Sequence, residues 1–337
     1  MYLRFLKKLI VIILTLILIG CNIVRESTSP TSKPESAGAF KVAILFPGSI
    51  NDRGWNQSGY EGMKLIKRQL GAEVAYSADV AVADASRLFR QYANKNFDFI
   101  ISHGNNFLDA ALEVTKDFPR IKFAIVSGYA GDNRNVGALA FRSGEVGYLA
   151  GVVAALKTKT NKVTYIGGQP YPILQEEANL FKRGVQETKP GSQVSIEWLN
   201  SWSDEDKAIQ IASKKVSAGA DVLMVDADRG NAGVVKVAAQ NKEVYVIRCL
   251  HAIEGLDKEK PTSNSILTSV VQQVPMLLLE GATLVQQGRW EGKQYKFGLL
   301  EGVQDFAPFY GSLTPEEEKL VNSIKEDIMT GKIDVSP

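Results

Sequence analysis

The sequence predicts an α/β fold in which two lobes each contain a doubly wound parallel sheet. The chain has 337 residues, which is long enough for two ordinary domains. Short apolar runs typical of buried strands alternate with stretches in which apolar residues recur at helical spacing. This alternation begins at Lys41 and starts again near Val163, so it describes two successive halves of similar size. We expect the strand-end loops of the two halves to face each other across a cleft.

The first strand, loop and helix contain the clearest candidate site. The apolar run Lys41–Phe46 predicts a buried strand, and apolar residues at helical spacing predict a helix that ends at Gly71. The loop between them holds Trp55 among amides and one carboxylate, Asp52. Such loops lie at the ligand-binding edge of open α/β sheets, so this one favours a flat, polar small molecule. Asp52 and Asn56 could both cap the helix; we favour Asp52 for loop structure and Asn56 for ligand contact.

Strands and helices then follow in regular alternation. Further strands are predicted at 73–77, 99–102, 122–126, 136–141, 163–166, 194–199, 221–225 and 244–247. Helices are predicted between many of them, including one from 143 to about 157 and one from about 175 to 188. The strand that precedes Asp226 ends in the polar sequence Asp-Ala-Asp-Arg-Gly. This order predicts parallel sheets with right-handed crossovers.

The last part of the chain predicts crossings between the lobes and a terminal helix. A strand is expected at 266–270, a long apolar helix at 274–287 and an extended segment at 295–300. Thr314 is followed by proline and two glutamates, which is a strong helix start because the side chain, the proline and the acids all favour a first turn. This helix is predicted to end near Met329.

The amino terminus predicts export and a lipid anchor. A cationic segment with Arg4 and two lysines precedes an apolar run from Leu9 to Gly20, which is short for a membrane span and typical of a signal-peptide core. The run ends at Cys21 in a sequence that looks like a bacterial lipobox, whose cysteine thiol receives diacylglycerol. The alternative is an uncleaved anchor helix. Residues 22–39 are rich in Ser, Thr, Pro and Glu, which predicts a flexible tether.

Composition argues against several classes of protein. The net charge is +2 and no basic patch stands out, so nucleic acid is not an expected partner. The only cysteine besides Cys21 is Cys249, so no intramolecular disulfide is expected once Cys21 is acylated. The sequence contains no phosphate-binding loop, no nucleophile elbow and no cluster of metal-ligand residues, and it has only two histidines. We therefore predict no enzymatic activity, no cofactor and no metal.

Four blocks of sequence together resemble one family. Residues 51–62 are similar to the signature D-x-x-(F/W)-N-Q-x-x-x-x-G, and 141–151 to the block F-R-x-x-E…L-A-G. Residues 167–184 and 267–270 resemble two further blocks. The chain resembles the basic membrane protein (BMP) family of lipoproteins over nearly all of residues 40–310. This family includes purine-nucleoside receptors of ABC transporters and Med-like regulators of competence.

The resemblance implies a type I periplasmic-binding fold, in which two doubly wound lobes are joined by a three-stranded hinge. In the nucleoside receptors of the family, aromatic side chains sandwich the base and polar groups anchor base and ribose. Trp55 and Asn56 match the first of these positions, and Gly104 matches the glycine after the third strand. Trp202 matches the opposing aromatic, although a position on the lobe surface is equally compatible with its serine-rich neighbours.

Three positions depart from the nucleoside receptors of that family. Ser127 stands where an acidic residue usually ends the fourth strand, and Gln272 replaces a lysine. The segment Arg248–His251 has no carboxylate where the receptors carry an aspartate that holds the ribose hydroxyls. A buried polar site that loses its partners loses selectivity by orders of magnitude. These departures argue against ordinary nucleoside transport. The pairs Asn51-Asp52, Phe46-Pro47 and His103-Gly104, together with Gln272, favour the Med-like branch.

The sequence therefore predicts an extracytoplasmic, lipid-anchored solute-binding protein of an ABC transporter, whose cleft closes over a small aromatic polar ligand such as a nucleoside. The alternative is a Med-like regulatory or sensor lipoprotein without a role in nucleoside transport. Expected partners are the small molecule, ABC permease subunits and, through the lipid, the membrane. The predicted ligand-binding residues are Trp55, Asn56, Gly104, Ser127, Trp202, Asp226 and Gln272. The predicted divisions are 1–21 (signal peptide and lipobox), 22–39 (tether), 40–142 plus 269–298 (N-terminal lobe) and 143–268 plus 299–337 (C-terminal lobe).

Overall fold

The computed structural model describes residues 38–126, 129–251 and 264–336, and two six-stranded sheets form its framework. The predicted signal peptide, Cys21, nearly all of the tether and Ser127 lie outside the described residues. The strands are β1 (Lys41–Leu45), β2 (Glu73–Ser77), β3 (Phe99–Ser102), β4 (Lys122–Val126), β5 (Val136–Phe141), β6 (Lys162–Gly167), β7 (Gln193–Trp198), β8 (Val222–Asp226), β9 (Tyr245–His251), β10 (Ile266–Gln272), β11 (Gln294–Phe297) and β12 (Gln304–Phe306). The helices are α1 (Trp55–Leu70), α2 (Ala85–Asn94), α3 (Leu108–Val114), α4 (Ser143–Lys157), α5 (Pro172–Thr188), α6 (Glu205–Ser217), α7 (Asn231–Gln240), α8 (Val274–Gln286) and α9 (Pro315–Met329).

Both sheets are doubly wound. The first has the order β11-β5-β4-β3-β1-β2, and all its neighbouring strands run parallel. The second has the order β12-β10-β9-β8-β6-β7, in which β12 runs antiparallel to β10. The direction of winding reverses between β1 and β3 in the first sheet and between β6 and β8 in the second, and ligands bind at such switch points. The predicted fold of two doubly wound lobes is confirmed.

Strand β1 shows why the strands read as unbroken apolar runs. Val42 and Ile44 face one side of the sheet, where they pack in the cluster that contains residues of α1 and α8. Ala43 and Leu45 face the other side and pack with residues of α2 and α3. All four side chains are completely buried. Because helices cover both faces, apolar side chains are favoured on both sides of such a strand.

The chain crosses between the two sheets three times within the described residues: after β5, after β10, and between β11 and β12. Backbone hydrogen bonds hold these crossings together. Arg142 N donates to Phe297 O at 2.7 Å, and Gln273 N donates to Val303 O at 2.7 Å. The Arg142 guanidinium also donates to Glu301 at 2.6 Å. The three crossings therefore form one joined hinge at the base of the cleft.

Some element limits differ from the sequence-based ones. The expected lobe boundary between residues 268 and 269 falls inside β10, whose residues 269–272 hydrogen-bond to β9 and β12 in the second sheet. Strand β12 was missed because three residues carry too little pattern, and α5 begins at Pro172, earlier than expected. The expected helix start at Thr314 is confirmed by a capping box with Glu317. The lobe limits as residue ranges stay predictions.

The described ranges contain no helix that is long and apolar enough to span a bilayer. They also contain no group of three or more His, Cys, Asp or Glu side chains arranged to hold a metal ion.

Candidate ligand-binding site

A cavity of about 360 Å³ lies between the strand-end loops of the two sheets. This volume is in the range of small-molecule sites. The first lobe lines it with Pro47, Trp55, Asn56, Gly104, Asn105, Asn106, Val126, Leu139, Ala140 and Phe141. The second lobe lines it with Ser143, Tyr171, Ile173, Leu174, Trp202, Asp226, Asp228, His251 and Gln272. Aromatic and aliphatic groups form much of this wall, and amides and carboxylates supply its polar points.

The sequence-predicted residues meet at this cavity. Within the described ranges its lining includes Trp55, Asn56, Gly104, Trp202, Asp226 and Gln272, which come from five separate segments. They converge because each lies just beyond the carboxyl end of a strand, or at that end, near a switch point. Ser127 follows the lining residue Val126 but lies outside the described residues. The contact of these side chains with a ligand stays a prediction.

A column of four rings connects the lobes beside the cavity. Trp55 stacks on His103 with ring centroids 4.3 Å apart and planes 18° apart. His103 in turn meets the edge of Phe46 at 5.1 Å. From the second lobe, His251 approaches Trp55 edge to face at 5.2 Å. One face of the indole is therefore covered by His103, and Trp55 remains partly exposed toward the cavity.

His103 supports Trp55 and is completely buried behind it. Its Nε2 hydrogen-bonds to Trp55 O at 2.8 Å, and Trp55 Nε1 donates to His103 O at 3.4 Å. Burial lowers the pKa of His103 to about 4, so the ring is neutral at physiological pH. A Cβ atom at Gly59 would lie 2.5 Å from His103 Cε1, so this position in α1 has room for glycine only. These contacts give His103 a structural role.

Asp52 organises the loop that brings Asn56 to the cavity wall. The Asp52 carboxylate accepts hydrogen bonds from the backbone of Gly54, Asn56 and Gln57 at 2.9–3.0 Å, and from Asn56 Nδ2 at 2.7 Å. Burial alone would raise the pKa of Asp52, but these bonds hold it below its ordinary value. Because Nδ2 is engaged, the free group of Asn56 is Oδ1, which is buried and has no hydrogen-bond partner among the described residues.

Gly104 shapes the loop after β3. Its φ angle is 116°, a backbone region that glycine adopts readily and other residues rarely do. Ser102 Oγ donates to Gly104 O at 2.7 Å and stabilises the turn. The backbone of this loop can therefore come close to the cavity beside the Trp55 ring.

Aromatic side chains also line the second lobe's side. The ring of Trp202 lies against Gly168 in the loop after β6. Its neighbour is Tyr171, with ring centroids 6.2 Å apart and planes 50° apart. Trp202 and Tyr171 both line the cavity and keep part of their surface exposed. The cavity thus has indole rings on both sides, one from each lobe.

Two carboxylates stand at the end of β8. Asp226 is 5% exposed, and burial together with the neighbouring Asp228 raises its pKa to about 7. Burial and the charge of Asp52 raise the pKa of Asp228 to about 6. The Asp228 carboxylate lies against Gly54 of the first lobe, so this acid reaches across the cleft. Cys249 donates its thiol hydrogen to Asp226.

His251 and Gln272 end β9 and β10. They share a hydrogen bond, and Gln272 is 6% exposed. Burial lowers the pKa of His251 to about 4, so this ring too is neutral. Its Nδ1 is buried without a partner in the described part of the chain. Two of the segments that depart from the nucleoside receptors therefore place neutral polar groups, His251 and Gln272, at the cavity wall.

The lining residues that sequence reasoning missed include Asp228, His251 and Tyr171. Asp228 and Tyr171 follow strands of the second sheet that end at the cavity, and His251 ends such a strand, so strand-end position was the signal that could have found them. That signal alone does not tell which side chains turn toward the other lobe.

A family profile described as ABC transporter substrate-binding protein PnrA-like matches residues 39–336. The chain belongs to this PnrA-like family. Family members are solute-binding proteins of ABC transporters, so the coarse function of the chain is solute binding outside the cytoplasm.

Relatives within the PnrA-like family bear two kinds of name. The chain is 27% identical over 335 residues to the ABC transporter nucleoside-binding protein BmpA of Lactococcus lactis, and the match covers 95% of this chain and 94% of that protein. It is also 27% identical over 331 residues to basic membrane protein A2 of Borrelia garinii, with 95% of each chain covered. It is 26% identical to the transcriptional activator protein Med of Bacillus subtilis, over 87% of this chain and 90% of that protein. A solved structure of a transcriptional activator of the comK gene from Bacillus halodurans superposes with a TM-score of 0.75 at 23% identity, covering 87% of this chain and 99% of that chain. That likeness concerns the fold.

Proposed function

We propose that the protein is a lipid-anchored, extracytoplasmic solute-binding subunit of an ABC transporter and that it binds a small aromatic polar ligand, such as a nucleoside, in the cavity between its lobes. Cys21 would carry the lipid, and permease subunits would receive the ligand. The observation that carries this proposal is the cavity of about 360 Å³ with Trp55 on one side and Trp202 on the other.

The arrangement of polar groups supports this assignment. Aromatic faces on opposite lobes offer stacking surfaces to a planar ring. Asn56 Oδ1 provides a buried acceptor that a ligand N–H or O–H could satisfy. Gln272 and His251 provide further neutral hydrogen-bonding groups from the second lobe. A ligand that touches both lobes has higher affinity for the closed arrangement, so binding shifts the population toward closure, and a permease can read that state.

A thermal-shift screen of residues 39–337, which form one compact unit, tests this function. Nucleosides, nucleobases and related metabolites are added to the wild type, to Trp55→Ala and to Tyr310→Ala, which removes an exposed aromatic outside the cavity. A ligand at about 100 times its dissociation constant adds about 2.7 kcal/mol of stability. We expect a shift in the wild type and the Tyr310 variant, and none in the Trp55 variant. No shift with any purine or pyrimidine compound would rule out the nucleoside version.

The second candidate is a Med-like regulatory or sensor lipoprotein. Gln272 and His251 favour it, because the nucleoside receptors carry a lysine and an aspartate in these two segments, whereas this cavity has neutral groups there. The similarity to Med supports it as well. The same screen separates the two functions: a regulator with a vestigial cleft shows no ligand-dependent shift, and Trp55→Ala leaves its regulatory output unchanged.

A further inference from the structure

We propose that the cleft selects an aromatic ligand that carries a cationic or N–H-rich group, and that this group lies against Asp226 and Asp228 while the ring lies beside Trp55 and Trp202. The inference rests on the proposed function and narrows the class of ligand that the same cavity takes. It comes from the charge of the wall, the burial of its acids and the hydrogen-bonding groups that the protein leaves without partners.

The charge of the cavity wall has one sign. Asp226 and Asp228 both line it, whereas the lining contributed by the described residues includes no lysine and no arginine. Neither carboxylate forms an ion pair with a lysine or arginine in that part of the chain. His103 and His251 are the two histidines nearby, and burial keeps both neutral. Among the described residues, the lining therefore presents negative charge, and positive charge is left for the ligand to supply.

The burial of Asp226 makes this charge costly without a partner. The side chain is 5% exposed, and the hydrogen bond that it receives within the described residues comes from the weakly donating Cys249 thiol. A buried carboxylate without a cation is unfavourable, since it loses hydration and gains little in return. A cationic or N–H-rich group in the cavity would replace the lost hydration with charge-assisted hydrogen bonds.

The neutral groups of the wall also include a hydrogen-bond acceptor that lacks a donor among the described residues. Asn56 Oδ1 is a buried acceptor without a partner among the described residues, while Asn56 Nδ2 is held by Asp52. Asn56 of the first lobe and the two carboxylates of the second line the same cavity. A ligand with several N–H groups satisfies both sides at once, whereas a ligand with carbonyl groups at those points leaves acceptors facing acceptors.

The aromatic wall suits the same ligand. Trp55, Trp202 and Tyr171 line the cavity that contains the two carboxylates. Aromatic faces attract cations as well as planar rings, and indole does so most strongly among the side chains. A planar cation is thus stabilised by stacking and by charge at the same time, while an anionic ligand would meet only the carboxylates' repulsion.

The ionisable groups around the acid pair set the pH dependence. Asp52 faces Asp228 from the first lobe, Arg229 follows it in sequence, Cys249 faces Asp226 from β9, and Glu177 faces Asp226 from α5. Burial raises the pKa of Asp228 to about 6 and that of Asp226 to about 7, so a cation displaces protons when it binds. Its affinity should rise as the pH increases through these two values and level off above them.

Matched ligands test the inference by isothermal titration calorimetry on residues 39–337. The first set is 1-methyladenosine, adenosine and inosine, which share a ribose and nearly the same ring. They carry a cationic ring, an amino group and a carbonyl group, respectively. The second set, without ribose, is tryptamine, which carries an amine, and indole-3-ethanol, which carries a hydroxyl group. In each set that binds, we expect the dissociation constant of the cationic or amino compound to be lower than that of its carbonyl or hydroxyl counterpart by roughly tenfold or more. Tighter or equal binding of inosine or indole-3-ethanol overturns the inference and leaves the proposed function standing. Binding of no member overturns the inference, and the thermal-shift screen then decides the proposed function.

Amide variants assign the preference to the two acids. Asp228→Asn and Asp226→Asn keep side-chain size and remove the charge, and Asp206→Asn on the exposed face of α6 is the control. In each cavity variant we expect the ratio of affinities for the cationic and the neutral ligand to fall by roughly tenfold, while the affinity for a neutral ring changes little. The pH dependence of cation binding should be partly lost in each. A preference that survives in both cavity variants overturns the assignment.

Discussion

At the scale of single residues, the site holds groups whose protonation is fixed by burial. His103 and His251 are neutral because burial lowers the pKa of each to about 4. Asp226 keeps a proton to higher pH than a free aspartate, because burial and Asp228 raise its pKa to about 7. Such a site can respond to the charge of a ligand without any side chain that is permanently cationic. Perturbed protonation of this kind is concentrated at functional sites.

Asp226→Asn should increase the free energy of unfolding near neutral pH and leave it nearly unchanged in acid. In the unfolded chain the aspartate ionises with its ordinary pKa of 3.8, whereas in the folded protein burial raises that pKa to about 7. The folded state then binds more protons between these values, so the wild type loses stability as the pH rises through them. The asparagine variant does not lose stability in this way, because its side chain does not ionise.

Urea unfolding of the wild type, Asp226→Asn and the control Asp206→Asn at about pH 4 and about pH 8 measures the effect. The stability gain of the Asp226 variant should grow with pH, and the control should show no such trend. A gain that is equal at both pH values would contradict the burial of this carboxylate.

Part of the site was predictable at this scale. Trp55, Asn56 and Gly104 could be found because they lie at strand ends in recognisable motifs, and they line the cavity. Asp228 and His251 could not be chosen among their neighbours, since their proximity to Gly54 and Trp55 depends on how closely the lobes approach. Distances across a cleft are set by three-dimensional packing and leave no periodic signal in sequence.

At the scale of elements, α1 and the loop after β3 are fitted to one another. Helix α1 brings Gly59 against the His103 ring, and the same ring supports Trp55 at the first position of that helix. The indole that lines the cavity is thus positioned by a packed contact between a helix and a loop. A change in this contact should be felt at the cavity, although neither Gly59 nor His103 lines it.

Gly59→Ala should destabilise the wild type and stabilise a His103→Ala variant. Alanine favours a helix over glycine by about 1 kcal/mol, but its Cβ would lie 2.5 Å from the His103 ring, and overpacking of this kind costs roughly 1–3 kcal/mol. Without the ring, only the helix preference remains. Urea unfolding of the four proteins in the cycle measures the coupling. The same sign of effect in both backgrounds would show that the ring does not confine position 59.

The elements themselves were largely predictable, because buried strands and amphipathic helices have distinct periods. Strand β10 shows what the sequence could not predict, which is the sheet that a strand joins. Its apolar residues identify a strand, but an apolar strand can pair in either sheet, and the pattern gave no reason to keep residues 269–272 with the second. The short β12 had no pattern of its own, since it exists through its pairing with β10.

At the scale of the whole molecule, three crossings join the lobes and the site lies between them. Arg142 ties the first crossing to the third through Phe297 O and Glu301. The acid pair and Trp202 belong to one lobe and Trp55 to the other, so opening the cleft would separate the two halves of the site. Under the proposed function, lobe closure and ligand contact would therefore be a single event.

Replacement of Cys21 by serine should release the full-length protein from the membrane fraction of cells. Only a thiol can form the thioether to diacylglycerol, and two acyl chains are needed for stable anchoring. Cys249→Ser is the matched control, because its thiol is buried within the second lobe. Fractionation with metabolic labelling by a fatty acid measures both. Labelled, membrane-bound protein after the Cys21 change would contradict lipid attachment at that residue.

The position of β11 in the first sheet governs when that sheet can be completed. Strand β11 (Gln294–Phe297) pairs with β5, and α8 packs on α1, yet the whole series from β6 to β10 separates these partners in sequence. During synthesis the first lobe therefore lacks an edge strand and a covering helix until almost the entire chain has been made. Contacts between such distant segments form slowly. A nascent chain with this connectivity stays incompletely folded while it grows, which is the state that a secretion channel for unfolded polypeptides requires.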